Sequence, residues 1–350
     1  MSPTRKAAYV TNSKGIEVKE GPIPEPADNE ILIKVYAAAA NPTDWKHKDI
    51  FNDITIGTVC GCDAAGIVVK TGSKVTSAKP GDRVSGMVHG CYPDVPENGA
   101  FAEYALLTDR IFSHIPENVS FEEASSWGVK ITTISQALYI NLGLPLFGQK
   151  DPNAEGKWFL VWSGATSVGQ AAVQAAALAG YKVVATASPH SFDLVKKLGA
   201  TAVLDYHDSD VAEQIRKLTN DSLELGIDTI SEDKSIPTAV EAFGSKGGKL
   251  ALLLPYSSQP RKDVELLFVL AYTSMAGHHC RHFGKDVEPE MSKPSSDYWE
   301  AFEKTVFAGK YIEQAIKLND GGLNAVSSVL DAVKTGKVPS GYKAVVKIAA

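Results

Sequence analysis

Between Trp162 and Gly169 the sequence reads Trp-Ser-Gly-Ala-Thr-Ser-Val-Gly, a turn of small residues after a β-rich run and before a helix-forming one. Small side chains at such a turn let backbone amides approach a pyrophosphate, and the helix N-terminus that follows favours its negative charge. Gly164 and Gly169 are therefore the expected phosphate-turn glycines, with Ser163, Ala165, Thr166, Ser167 and Val168 completing the cradle. Ser163 and Thr166 stand where the strict fingerprint has its first and middle glycines, so a tight turn without a ligand is the competing reading of these residues alone.

At the end of the next β-rich run, Thr186-Ala-Ser-Pro-His-Ser191 contains no acid. Enzymes that use NAD place Asp or Glu there to bond the ribose hydroxyls. An acid would repel a 2′-phosphate, whereas the hydroxyls of Ser188 and Ser191 and the imidazole of His190 can donate to one, so NADPH is the expected cofactor. Capping of the next helix is the alternative for Ser188 and His190. Tyr206, after the third β-rich run, either stacks on adenine or packs against the sheet edge.

The cysteines predict little chemistry. Cys60, Cys62, Cys91 and Cys280 are few and irregularly spaced, which fits reduced thiols, and Cys60-Gly-Cys62 has one intervening residue rather than the two of common zinc and redox motifs. Cys62, Asp63 and His89 are unpatterned potential ligands, and no metal is expected.

The elements that must position these residues alternate along the chain. Up to about Phe121, runs such as Ile31–Ala37 and Gly66–Lys70 are separated by turn residues, which predicts a compact β-dominated domain. Thereafter β-rich runs starting at Trp158, Lys182, Ala202, Leu225 and Lys249 alternate with helical ones, which predicts a parallel sheet covered on both faces. Ligands of such sheets bind beyond the carboxyl ends of the strands. His278–Ser296 is polar and reads as a long loop, able to cover a sheet edge and so favouring a monomer; Trp299–Ile316 and Leu323–Thr335 read as helices and Lys343–Ile348 as a closing strand.

At 350 residues the chain exceeds the growth limit of a single core, so two domains are expected. A net charge of -6 with no basic run removes the electrostatic basis for binding nucleic acid or an anionic membrane. With neither a signal-like apolar stretch nor a bilayer-length one, the cytoplasm is the expected location.

Gly81-Asp-Arg-Val84, Gly99-Ala-Phe-Ala-Glu-Tyr104, Leu198-Gly-Ala200 and the nucleotide turn occur in order. Together they resemble the medium-chain dehydrogenase/reductase superfamily over nearly the whole chain. Asn41-Pro-Thr-Asp-Trp-Lys46, Gly61-Cys-Asp63, Ser188-Pro-His190, Asp205-Tyr206 and Ser340-Gly-Tyr-Lys343 are similar to its zinc-free fungal branch of trans-acting enoyl reductases and quinone-oxidoreductase-like enzymes. The resemblance implies an α/β fold: a GroES-like substrate domain, residues 1–125 and 310–350, and a doubly wound Rossmann NADPH-binding domain, residues 126–309. It places Asn41 where zinc alcohol dehydrogenases have a catalytic cysteine, and Cys62 where they have a histidine.

Without a Lewis acid, a conjugated acceptor is the easier substrate, because hydride added at its β-carbon leaves charge on the carbonyl oxygen as an enolate. Donors aimed at that oxygen then carry much of the catalysis. The resemblance implies Lys46 as that donor, Thr133 beside the nicotinamide, and Ser340 and Lys343 on an element returning to the cofactor. The competing readings are an exposed Lys46, a Thr133 bonded to its own helix backbone and a solvent-facing Lys343. Asp228 is expected to organise a strand end. The implied activity is NADPH-dependent reduction of an α,β-unsaturated carbonyl or an enoyl thioester, free or carried by a polyketide synthase partner. A broad-range aldehyde or quinone reductase and a non-catalytic NADPH-binding protein are the alternatives.

Overall fold

The computed structural model describes residues 4–232, 234–275, 279–280, 285–286 and 289–349. The chain divides into two compact units, Met1–Val129 with Met275–Glu288 and Glu313–Ala350, and Lys130–Ser274 with Pro289–Ile312.

The first unit opens with β1 (Thr4–Val10), β2 (Ile16–Pro22) and β3 (Glu30–Ala39), followed by the helices α1 (Pro42–Asp49) and α2 (Asn52–Thr55). The strands β4 (Asp63–Thr71), β5 (Arg83–Met87), β6 (Tyr104–Thr108) and β7 (Phe112–His114) and the helix α3 (Phe121–Ala124) complete its first segment. β1 and β2 form an antiparallel pair. β3 is central to a seven-stranded sheet, antiparallel to β4 on one side and to β6 on the other. Ala37, Ala38 and Ala39 are buried there, small enough for both faces of the strand to be covered. The core of this unit gathers Ile31, Ile33, Val35, Val68, Val84, Phe101, Leu107 and Leu330.

The helix α4 (Gly128–Ile134) opens at the end of that segment and runs on as a π-helical stretch, Ser135–Asn141. The second unit then alternates β8 (Trp158–Trp162), α5 (Ser167–Ala179), β9 (Lys182–Ala187), α6 (Phe192–Lys197), β10 (Ala202–Asp205), α7 (Val211–Leu218), β11 (Leu225–Asp228), α8 (Ser235–Glu241), β12 (Gly248–Leu252) and β13 (Val264–Phe268). Every pairing is parallel and the order is β10-β9-β8-β11-β12-β13, a doubly wound sheet whose strand order reverses between β8 and β11. Crevices for ligands form at that reversal, outside the carboxyl ends. The Ala-rich α5 has helix-forming composition and buries five alanines, Ala171, Ala172, Ala175, Ala176 and Ala179. Gly199, with φ of 113°, takes the left-handed conformation expected after α6.

Three differences from expectation stand out. β13 adds a sixth strand that the sequence reading missed, because Val264-Glu-Leu-Leu-Phe is short and follows a polar stretch. Within His278–Ser296, His278, 281–284 and 287–288 lie outside the described residues, His279–Cys280 and Lys285–Asp286 form the paired strands β14 and β15, and Pro289–Ser296 is not loop but the start of α9 (Pro289–Phe307). Pro294 lies inside that helix, at its sixth residue, where it removes one backbone donor. The expectation of a monomer loses the support of an edge-covering loop. Third, the helix expected over Trp299–Ile316 stops at Phe307, and Ile316 begins β16 (Ile316–Asn319).

β16, α10 (Val326–Lys334) and β17 (Lys343–Lys347) belong to the first unit. β17 pairs antiparallel with β3 and parallel with β16.

Candidate active site

In the second unit the small-residue turn joins β8 to α5 at the reversal of strand order. Ser163 adopts a left-handed φ of 64°, the conformation a glycine would supply, and its N–H donates to Thr186 Oγ1 at 2.9 Å. The Thr166 hydroxyl accepts the Gly169 N–H at 2.9 Å and so caps α5, while its oxygen lies 2.8 Å from Thr229 Oγ1 at the end of β11. Thr229 in turn donates to the carbonyl of Trp162 at 2.9 Å. The turn is thus laced to the strands on both sides of it, β9 through Thr186 and β11 through Thr229.

Space is tight at Gly164 and forbids a side chain at Gly169 without backbone movement. A Cβ at Gly164 would lie 3.0 Å from Val195 Cγ1 and 3.1 Å from Ala185 Cβ, and one at Gly169 would lie 2.3 Å from the Ser163 carbonyl oxygen. A phosphate-bearing dinucleotide fits this cradle: the backbone is bare, the helix N-terminus follows, and Ala165, Ser167 and Val168 surround the opening of α5.

At the carboxyl ends of β9 and β10 the Ser188 hydroxyl lies 3.0 Å from the Tyr206 hydroxyl. Ser188 makes no side-chain cap bond to the turn after it, so the capping reading does not describe its side chain. Tyr206 is 41% exposed and lies against the His207 ring rather than packing into the sheet. His190 is exposed, whereas Ser191 is buried. Asp228 does organise a strand end: its carboxylate accepts the N–H groups of Ile230 and Ser231, both at 2.9 Å, and the Ser235 hydroxyl at 2.6 Å. Burial holds that carboxyl above its ordinary value. Thr133 is buried in α4.

In the first unit, Lys46 lies on α1, half-buried, its ammonium 5.7 Å from the centre of the Trp45 ring. Ser340 is exposed in the turn before β17. Lys343 is the opposite of solvent-facing: its side chain is 5% exposed, its Nζ donates to Asn41 Oδ1, and it lies 3.2 Å from Asp63 Oδ2. Asn41 Nδ2 donates to the same Asp63 oxygen at 2.9 Å. Ser340 is thus exposed and Lys343 buried, and the structure brings Lys343, Asn41 and Asp63 together, a cluster the sequence reading did not anticipate. His89 stacks on Tyr92 with ring centres 4.1 Å apart. Among the described residues no three His, Cys, Asp or Glu side chains are grouped to hold a metal ion.

Asp44 is fully buried beside this cluster, and its carboxylate accepts the Asn41 N–H at 2.7 Å. Burial pushes its pKa up to about 7, helped by the Asp63 charge and opposed by the Asn41 N–H, the Cys62 thiol and the Lys343 ammonium. Between the ordinary value of 3.8 and about 7 the folded protein holds a proton that the unfolded chain releases. The stability contributed by this residue is therefore complete at low pH and falls as pH rises through that interval. Asp44→Asn has no such proton. Wild type is expected to lose stability relative to this variant between pH 5 and pH 8, and a difference in thermal midpoint that is the same at both pH values would contradict the assignment.

The chain is similar to known proteins over nearly its whole length. A family model described as the alcohol dehydrogenase GroES-like domain matches residues 27–117, and one described as zinc-binding dehydrogenase matches residues 167–291. A trans-enoyl reductase of Alternaria alternata is 40% identical over 99% of this chain and 99% of its own. A zinc-type alcohol dehydrogenase-like protein of Schizosaccharomyces pombe is 38% identical over 98% of this chain and 99% of its own. A solved structure of a putative zinc-dependent alcohol dehydrogenase from Rhizobium etli is 26% identical, covers 100% of both chains and superposes with a TM-score of 0.79. Among the described residues no helix is long and apolar enough to cross a membrane.

Proposed function

The chain belongs to the medium-chain dehydrogenase/reductase superfamily of oxidoreductases, and on that premise we propose that it is a zinc-independent, NADPH-dependent reductase of α,β-unsaturated carbonyl or enoyl-thioester substrates. The observation that carries this reading is the Lys343 ammonium seated against Asn41 and Asp63. A divalent ion brought to the same oxygens would meet a fixed positive charge in a dry site, where repulsion is weakly screened. Polarisation of a substrate oxygen then falls to a side-chain donor, which suits a conjugated acceptor better than a simple alcohol. The full-length likeness to a trans-enoyl reductase supports the same substrate class. A polyketide synthase that presents the enoyl thioester is the partner this implies. Two of the relatives have zinc in their names, but in this chain the cation at Asp63 is already a lysine.

NADPH, when bound, supplies the hydride. The chain's residues do the rest: the Ser163–Gly169 turn and the first turn of α5 bind the pyrophosphate, and the acid-free ends of β9 and β10 receive the 2′-phosphate through Ser188 and its hydroxyl partner Tyr206, with His190 nearby in sequence. Lys46 donates to the carbonyl oxygen as charge develops on it, and Thr133 orients the nicotinamide carboxamide or the substrate. Lys343 acts inside its buried cluster.

The test is NADPH and NADH oxidation by chelator-treated protein against enones, enoyl thioesters, quinones and saturated aldehydes. Chelator-resistant turnover, fastest with conjugated acceptors, is expected, with NADPH preferred over NADH by at least about tenfold, since discrimination by buried or charged polar contacts is large. Turnover restored only by added zinc, or fastest on saturated aldehydes, would overturn it. Ser188→Asp places a carboxylate where the phosphate is expected, so it should reverse the preference toward NADH, and competing kcat/KM values for the two cofactors check this.

A further inference from the structure

We propose that Asp63 is a positioning residue for Lys46, acting through Asn41, with Lys343 holding the carboxylate in place. The role of Lys46 rests on the reductase reading above. Asp63 Oδ2 faces two donors, Asn41 Nδ2 at 2.9 Å and Lys343 Nζ at 3.2 Å, and Asp63 Oδ1 accepts the N–H of Val129 at the opening of α4. Lys343 Nζ donates to the other end of the Asn41 amide, so that side chain is held on both sides. Asn41 is the residue from which α1 starts, and its own N–H is tied to Asp44 Oδ2 at 2.7 Å. Lys46 follows five residues later, in the second turn of α1.

Asp63 and Lys343 have side chains 0% and 5% exposed. Their attraction is therefore little weakened by water, and the cluster has few alternative arrangements. The other end of α1 is anchored separately: Lys48 Nζ donates to the Lys14 carbonyl at 2.7 Å, and Asp49 pairs with Lys334 at 2.6 Å. Losing the Asp63 contacts thus leaves the helix attached at its far end but loosens its start, and the Lys46 backbone in the next turn shifts with it. A misplacement of about 1 Å costs a catalytic group on the order of 10²-fold.

Asp63→Asn keeps an acceptor for the Val129 N–H at nearly the same volume while removing the charge that Lys343 and Asn41 share. In this variant kcat on a conjugated ketone, counted per NADPH-binding site, should fall by at least about 30-fold, with the KM for NADPH within about twofold, the pattern of an interaction made only in the transition state. Acetylation of Lys46 by acetic anhydride, followed by peptide mass, should change in rate by at least about threefold, because thiol and amine reactivity follow local environment. Either readout staying within about twofold of wild type overturns the proposal, since a purely structural ion pair lowers the fraction of folded protein and not its activity per binding site. If Asp63→Asn does not fold, Lys343→Gln, which keeps an N–H donor in the cluster, is read in the same way. If neither folds, the cluster is a folding element and the positioning role is overturned. A wild type that turns over no acceptor defeats the reductase reading instead, and the Lys46 labelling rate then decides the positioning role alone.

Discussion

Lys46→Ala is expected to lower kcat on a conjugated acceptor by about 10² to 10³, the cost of removing one donor to a developing oxyanion. The KM for NADPH should stay near the wild-type value, because the Ser163–Gly169 turn and Ser188, proposed to hold the phosphates, belong to the second unit and Lys46 to the first. Lys46 is half-buried on a short helix fixed at both ends, and its ammonium lies beside the Trp45 ring. That placement limits the conformational freedom a long side chain would otherwise lose on reaching a substrate. Steady-state kinetics with an enone, together with NADPH affinity by fluorescence, separates the outcomes. A loss below about threefold with NADPH binding retained would take Lys46 out of the mechanism, since donors in such sites are worth far more. Lys46→Arg keeps charge but not the compact ammonium, and intermediate activity is expected from it.

The second large effect is expected at the nucleotide turn. Gly169→Ala should weaken NADPH binding by at least about 30-fold and destabilise the protein by about 1 to 3 kcal/mol, the usual cost of forcing extra atoms into a packed position. The added Cβ would lie 2.3 Å from the Ser163 carbonyl oxygen and 2.9 Å from Thr166 Oγ1. Relief can come only by moving backbone or by breaking the Thr166 cap, and either disturbs the amides at the start of α5. Calorimetric titration with NADPH and thermal unfolding check both parts. Binding within about threefold of wild type would mean that the turn is only a strand-to-helix connection, the alternative that its imperfect glycine pattern allows.

The doubly wound sheet was legible because its cues are local: β-rich runs, helix-forming runs and capping glycines recur at short intervals, and each can be read without knowing the others. The turn between β8 and α5 was legible for the same reason, although what its residues bond to was not. Thr166 acts as a helix cap bonded across to Thr229, a partner on a strand that sequence order gives no reason to connect with it. The pairing of Ser188 with Tyr206 lay equally beyond the sequence, because it depends on β9 and β10 being neighbours in register. Lys343 was the largest surprise. A lysine at the head of a strand can be read as solvent-facing or, from the resemblance, as cofactor-facing, and only the pairing of β17 with β3 brings it to Asn41 and Asp63. A buried carboxylate that needs a distant cation leaves no periodic trace. The one available signal was the odd Asp63 ahead of the small and apolar run Ala64–Val69.

That pairing also fixes an order of events during synthesis. Asn41 and its lysine are 302 positions apart in the chain, so a ribosome adding about 5 to 20 residues per second makes the first wait roughly 15 to 60 s for the second. Until β17 emerges, the Ala37–Ala39 end of β3 has an open edge and Asp63 lacks the Lys343 cation to share its burial, and a buried charge left alone costs about 3 to 5 kcal/mol. The nascent first unit is therefore held short of its native state while the second, whose strands and helices are contiguous from β8 to β13, is free to fold on the ribosome. A message truncated just before codon 343 would yield a folded nucleotide-binding unit tethered to an unfinished partner, a product that quality-control proteases would recognise by its exposed strand edge.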